Sequence, residues 1–356
     1  MTDRRTFLKR TGGLAALSAL SLPGLGAGEV AEKIKGIEHP IRPERVLPGR
    51  LKKGDLIGLV TPGSPITEEQ LADTIRKLEG LGFRTTHNNS VLSEYGYFAG
   101  GHEERAAELM EMFIREDVDG IWCVRGGYGS IRILGLLDYE QIRAHPKVLL
   151  GYSDITALIT AIYEQTGLVT YHGPVGISDF NRFTLRSFEK VVMDPSENYK
   201  YPYKREKETR GNPEFDRYTV TGGVAEGALI GGNISVLDSM IGSRFEPDFE
   251  GKIVYLEEIE EKTYRVDKMV FHLLSGTNLK KAAGIVMGVM GDCNINDEPR
   301  LSLKVALDDL LKPVGIPVSY GFSFGHIKRM VTIPTGIRAA FDADRNSLKL
   351  LEPAVV

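Results

Sequence analysis

Compact apolar runs alternate with stretches of helical spacing between residue 55 and about residue 172. Asp55-Leu56-Ile57-Gly58-Leu59-Val60 predicts a buried strand that ends in loop chemistry, Thr61-Pro62-Gly63-Ser64-Pro65. Apolar residues at Leu71, Ile75, Leu78 and Leu81 predict a helix over 67–81, closed by Gly82. The alternation continues with a strand at 83–86, a helix over 103–116, a strand at 120–124, helical segments at 131–137 and 139–145, a strand at 147–152, a helix through 166 and a strand at 168–171. Such an order predicts a mostly parallel sheet with both faces covered. Ligand sites in these sheets form at the C-terminal strand ends. The loops at Thr61 and Gly126 and the turn at Ser153 are therefore expected to converge.

From about Phe180 to Thr221 the pattern lapses. This polar segment includes Tyr201-Pro202-Tyr203-Lys204-Arg205-Glu206-Lys207-Glu208 and predicts a solvated connection. Strand candidates resume at 228–233, 252–258, 283–289 and 317–321, with helices over 234–241, 263–275 and 302–311 and two short strands after Val331. A length of 356 residues suits two domains. The expected boundaries are 51–180 and 222–356, with 181–221 as linker and 28–50 as lead-in.

The N-terminus adds a location. Thr2-Asp3-Arg4-Arg5-Thr6-Phe7-Leu8-Lys9, followed by a small apolar stretch to about Leu25, is a twin-arginine export pattern over 1–27. The stretch is too short and too rich in Gly and Ala for a good membrane span, although a retained anchor helix is the competing reading. The expected location is the periplasm or the cell exterior, with no stable membrane insertion after removal of the signal. Net charge is −4 and the body of the chain carries no basic block, which argues against a nucleic-acid partner. Cys123 and Cys293 lie far apart, in or beside apolar runs, and are expected as buried free thiols.

The candidate chemistry centres on Gly151-Tyr152-Ser153-Asp154, where an apolar strand meets a helix. A serine there either caps the helix or is lifted over the sheet edge, where backbone N–H groups can hold a developing oxyanion. A serine nucleophile needs a base, and the base an orienting acid. Of seven histidines, His39 and His145 precede prolines, His87 and His102 lie in polar segments, and His272 is mid-helix. His172 and His326 remain, each beside a glycine after a strand-like segment; a packed structural role is the ordinary alternative for either. Glu257 and Glu258 end a strand, and alternation turns only one of them toward a site; the period does not choose between them. Arg125-Gly126-Gly127-Tyr128-Gly129 can offer N–H groups to an anion but lacks the rest of a dinucleotide fingerprint. No metal-ligand spacing occurs, and neither metal nor cofactor is expected.

Six motifs in order then carry a resemblance: Arg125-Gly126-Gly127-Tyr128-Gly129, Gly151-Tyr152-Ser153-Asp154, His172-Gly173-Pro174, Gly231-Gly232-Asn233, Leu256-Glu257-Glu258, and Phe324-Gly325-His326 with Pro334-Thr335-Gly336. From about Leu51 to Leu350 the chain resembles the LD-carboxypeptidase family of serine peptidases (family S66), which includes murein tetrapeptide carboxypeptidases and microcin-C-immunity peptidases. The resemblance implies an α/β fold. A mostly parallel N-terminal sheet domain and a smaller, mixed C-terminal domain would flank the site, commonly in a homodimer. It implies Ser153 as nucleophile, Glu257 as acid, His326 as base, and the N–H groups of Asp154 and Gly127 (chosen over Gly126) as oxyanion donors, with His172 left structural or substrate-shaping. The implied reaction releases a C-terminal D-amino acid from a murein-derived tetrapeptide. Two departures stand out. Ile155 occupies the closing glycine of the α/β-hydrolase elbow, and the export signal differs from the family's cytoplasmic recycling enzymes. The alternatives are a peptidase of acylated nucleotide conjugates and a non-catalytic exported binding protein. The first is weakened because Trp122, the sole tryptophan, falls in a predicted buried strand and not in a stacking loop.

Overall fold

Residues 43–204, 209–293 and 301–356 are described in this computed structural model; the twin-arginine segment and His39 lie outside them. The first half alternates as its pattern predicts: β1 (Leu56–Val60), α1 (Glu68–Gly80), β2 (Arg84–Thr86), α2 (His102–Ile114), β3 (Gly120–Cys123), α3 (Tyr139–Ala144), β4 (Val148–Gly151), α4 (Thr156–Thr166) and β5 (Thr170–His172). Residues 131–137 tighten into a 3₁₀ turn, Ser130–Leu136. β1 to β5 are all parallel, in the order 5-4-3-1-2. Every residue of β3 and β4 is buried, as strands covered on both faces require. Entry to α1 is fixed by a capping box, in which Thr67 Oγ1 accepts from Gln70 N at 3.2 Å and Gln70 Oε1 from Thr67 N at 2.9 Å.

The segment expected as a solvated connection is partly core. It forms α5 (Arg182–Phe188), capped by Asn181, and a π turn, Glu189–Met193. Phe188, Val191 and Val192 are buried, with the Phe188 ring 5.0 Å from Trp122 and 6.3 Å from Phe83. Its charges hid the pattern, because a helix of about two turns needs only one short apolar stripe. Of the run 201–208, Tyr201 is buried and donates its hydroxyl to Thr332 O at 2.9 Å; residues 205–208 lie outside the described residues.

The remaining elements are β6 (Tyr218–Thr221), β7 (Val224–Asn233), α6 (Ile234–Met240), β8 (Ile253–Ile259), α7 (Thr263–Gly276), β9 (Gly284–Gly291), α8 (Leu303–Leu311), β10 (Val318–Phe322), β11 (Ile333–Thr335), β12 (Arg338–Asp342) and β13 (Ser347–Leu350). Seven strands form a mixed sheet in the order 13-12-7-8-9-10-6, parallel from β7 to β10 and antiparallel at both edges. This second sheet is not smaller than the first, because β6 and the β12–β13 hairpin extend it. β11 leaves its sequence neighbours and pairs antiparallel with β5, Ile333 opposite His172, as the sixth strand of the first sheet. Both cysteines are buried and free. No helix among the described residues is long and apolar enough to cross a membrane.

Candidate active site

Three loops meet above the first sheet's C-terminal edge. A Cβ on Gly63 would lie 2.3 Å from Gly126 O and 2.7 Å from Asp154 Oδ2, so only glycine fits there. Ser64 N donates to Gly126 O at 2.9 Å, and Ser64 Oγ accepts from Tyr128 N at 3.1 Å. The convergence expected of these loops is therefore built by direct contact.

Ser153 sits at φ 63°. This is a left-handed conformation that a non-glycine residue holds only when its surroundings impose it, and such residues gather at functional sites. The serine is not a helix cap: neither the short 3₁₀ turn at Ser153–Ile155 nor α4 has a side-chain cap. Ile155, in place of a closing glycine, folds its side chain over Gly151, where an added Cβ would approach it to 2.8 Å. The elbow is thus tightened from the far side, with the small residue before the serine.

Ser153 Oγ lies 3.0 Å from His326 Nε2, and His326 Nδ1 lies 2.8 Å from Glu257 Oε2. The serine comes from the end of β4, the glutamate from β8 and the histidine from the loop after β10. Gly325 makes the last approach possible, since at φ 103° its Cβ position is 3.0 Å from Glu257 Oε2. Phe324 anchors the loop, being buried against Gly288 and accepting from Val289 N at 3.2 Å. Alternation separates the two glutamates as expected. Glu258 turns the other way and accepts from Asn233 Nδ2 at 2.9 Å and Ser235 N at 2.8 Å, at the start of α6.

Charge follows this geometry. Burial alone would raise the Glu257 carboxyl, but the imidazole of His326 outweighs it and holds the acid below its ordinary value. Burial likewise opposes a charge on His326, yet Glu257 lifts the imidazole above its ordinary value. His172 behaves oppositely. It is fully buried among the rings of Tyr152, Tyr255 and Phe324, and burial lowers it to about 4, so it stays neutral. His87 is exposed, His145 is half-buried just past the end of α3, and His272 Nδ1 pairs with Asp238 at 2.7 Å.

Two features escaped the sequence reading. The Asp154 side chain is buried and accepts from Gly129 N at 3.1 Å, Ser130 N at 2.9 Å and Ser130 Oγ at 2.7 Å, tying the serine turn to the glycine loop. Arg105, buried on α2, donates to Pro62 O and, at 3.0 Å, to Gly129 O. A charge inside an amphipathic helix reads as surface unless its partners are known. Among the described residues, neither Gly127 nor Asp154 spends its N–H on a backbone carbonyl. Gly127, at φ 90°, has no room for a side chain beside Ser64 Oγ.

A strained serine hydrogen-bonded through an imidazole to a buried carboxylate, on a two-sheet α/β scaffold, defines a hydrolase of the serine-peptidase class. The chain belongs to the LD-carboxypeptidase family: the family's N-terminal domain matches residues 57–173 and its C-terminal domain residues 226–341. It is 36% identical over 302 residues to a probable murein peptide carboxypeptidase of Bacillus subtilis, covering 83% of this chain and 91% of that one. A solved structure of the microcin C7 self-immunity protein in its apo state matches with a TM-score of 0.79 at 28% identity, covering 87% and 100%. A muramoyltetrapeptide carboxypeptidase from Oxalobacter formigenes matches with a TM-score of 0.71 at 29% identity, covering 83% and 97%.

Proposed function

We propose that this enzyme removes the C-terminal D-alanine of murein tetrapeptides, cleaving the bond between an L-centre and the D-residue. What carries the reading is the hydrogen-bonded run from Ser153 Oγ through His326 to Glu257, at 3.0 and 2.8 Å. His326 Nε2 takes the Ser153 proton as Oγ attacks the peptide carbonyl. Glu257 holds the Nδ1–H tautomer and stabilises the imidazolium. The N–H groups of Gly127 and Asp154 receive the oxyanion, an effect of about 3 kcal/mol per donor. His326 then protonates the leaving amine, and water, activated by the same imidazole, hydrolyses the acyl-enzyme. The relatives named for murein peptides support this substrate class.

A second reading keeps the machinery and changes the substrate to an aminoacyl nucleotide conjugate. It is favoured by the fold match to the microcin C7 self-immunity protein, one structure of which is in complex with aspartyl sulfamoyl adenosine. Against it, Trp122 is buried in β3 and offers no stacking face. The proposal places the enzyme outside the cytoplasm by the twin-arginine pattern at Arg4-Arg5; Arg4→Lys with Arg5→Lys should then strand it in the cytoplasm.

The direct test is incubation of protein from about residue 28 with a murein tetrapeptide ending in D-Ala, beside Ser153→Ala. D-Ala released by the wild type alone is the expected result. No release, with Ser153 still labelled by a serine-directed phosphonate, rejects the substrate and keeps the nucleophile. No release and no labelling rejects the enzyme.

A further inference from the structure

A shelf of tyrosines stands beside the catalytic loops, and the proposed chemistry uses none of their rings. Tyr95, Tyr97 and Tyr128 are 68%, 61% and 45% exposed. Tyr97 and Tyr128 are in contact, and large exposed aromatics that touch are the informative exception to burial; Tyr95 stands at the base of the hairpin that carries Tyr97. The Tyr97 and Tyr128 rings are 5.8 Å apart and inclined at 44°, over Phe98, which lies 4.4 Å from Tyr97 and 5.7 Å from Tyr128. The exposed guanidinium of Arg132 lies 5.4 Å from the Phe98 ring centre and borders the shelf.

This surface is held rigidly to the site. Tyr95 and Phe98 exchange both backbone hydrogen bonds, at 2.8 and 3.1 Å, closing a hairpin tip at Tyr95-Gly96-Tyr97-Phe98. Ala99 N donates to Gly63 O at 2.9 Å. Phe98 packs against Gly129, where an added Cβ would meet its ring at 2.7 Å. Shelf and oxyanion loop therefore move as one piece. Tyr128 follows Gly126 by two residues, and the Cβ position of Gly126 is 3.2 Å from Ser153 Cβ. The shelf thus begins within roughly 10 Å of the nucleophile.

We propose that this shelf is a subsite for the carbohydrate of a sugar-bearing murein peptide; it rests on the reading of the substrate above. A carboxypeptidase releases one residue, so everything further along the substrate lies on its acyl side. Three residues on that side reach about 10 Å, the distance to the shelf, and the next group along a murein peptide is the N-acetylated disaccharide. The C–H face of a sugar ring carries partial positive charge and meets the negative face of an aromatic ring. Inclined rings suit puckered sugars joined at an angle, whereas a flat nucleobase would cover one ring only. The tyrosine hydroxyls and Arg132 offer partners to sugar hydroxyls and acetamido carbonyls.

The test compares kcat/KM for a free tetrapeptide and for the same peptide on its N-acetylglucosaminyl-N-acetylmuramoyl disaccharide, with wild type and with Tyr95→Ala/Tyr97→Ala. The wild type should prefer the sugar-bearing substrate about ten-fold, and the double variant should lose that preference while cleaving the free peptide normally. Normal cleavage also reports that the variant has folded; Tyr97→Ala alone is the fallback. No preference in the wild type, or a preference surviving in the variant, overturns the subsite. If neither substrate is cleaved, the reading of the reaction fails first. The shelf is then tested by calorimetry with the disaccharide tripeptide: a Kd weakened about ten-fold by the double variant supports it, and no binding or an unchanged Kd overturns it. Loss of adenosine monophosphate binding in the variant, with sugar binding unaffected, would assign the shelf to nucleobases and also overturn the proposal.

Discussion

Replacing Glu257 by glutamine should separate the electrostatic task of this residue from its task as a spacer. Glutamine keeps an oxygen for His326 Nδ1–H but removes the charge. With Nδ1 and Oε2 2.8 Å apart, the charge centres of imidazolium and carboxylate stand about 4 Å apart. At an effective dielectric of about 20 that pair is worth about 4 kcal/mol, or about 10³-fold in the rate of the step that forms the imidazolium. The sign of the pH effect follows from the same pair. Glu257 holds His326 above its ordinary value, and activity needs the neutral imidazole, so the wild-type acid limb lies above the usual histidine range. Without the carboxylate, burial lowers His326 against only the weaker pull of Glu258 and Glu260, and the limb moves to lower pH. The assay is kcat/KM against pH from 5 to 9 for both proteins, with Glu258→Gln alongside. Glu258 is hydrogen-bonded to Asn233 and Ser235, and its replacement should move the limb less. A limb that stays fixed or moves upward in Glu257→Gln, or a rate loss under ten-fold, would refute the reasoning.

Other outcomes follow from single contacts. Ser153→Ala and Ser153→Gly should both lose about 10⁵-fold in kcat or more, while the glycine variant, free of the cost of φ 63°, should be more stable than the alanine variant by about 1 kcal/mol, read from their thermal midpoints. Gly63→Ala should push the glycine loop off the serine turn and cost about 10²-fold in kcat without changing far-UV dichroism; activity within two-fold of wild type would contradict the contact with Gly126 O. Phe188→Ala should cost about 3–5 kcal/mol in urea unfolding and leave the folded enzyme active, a result a solvated linker would not give.

Strand and helix positions in the first half were legible because parallel strands buried on both faces leave continuous apolar runs, such as Val148–Gly151. The turn at Ser153 was legible as a junction but not as a strained one, since cap and elbow share the same residues until φ is known. Period 2 separated Glu257 from Glu258 without saying which faced the site; the resemblance favoured Glu257, and the side chain found against His326 is that one. Arg105 and Asp154 were invisible as loop fasteners because the groups they hold, backbone and the Ser130 hydroxyl, lie more than twenty residues away in sequence. α5 was missed because its buried face is only a few residues wide; after Val331 two short strands were expected where three form, and the three residues of β11 carry no sign that they join the first sheet.

β11 also sets a timetable. The sheet that carries Ser153 ends at β5 until the strand that covers that edge, 333–335, has been synthesised, a few residues after His326. Until it leaves the ribosome, β5 presents unpaired backbone groups, and Ser153 has no base within reach. On the proposed mechanism a nascent chain is therefore inert however well its first half has folded, because His326 and the last hydrogen bonds of the sheet arrive together. The same dependence makes the interval between β10 and β11 a place where a nick would silence the enzyme: it would cut His326 away from either its Phe324 anchor or the β5–β11 pair.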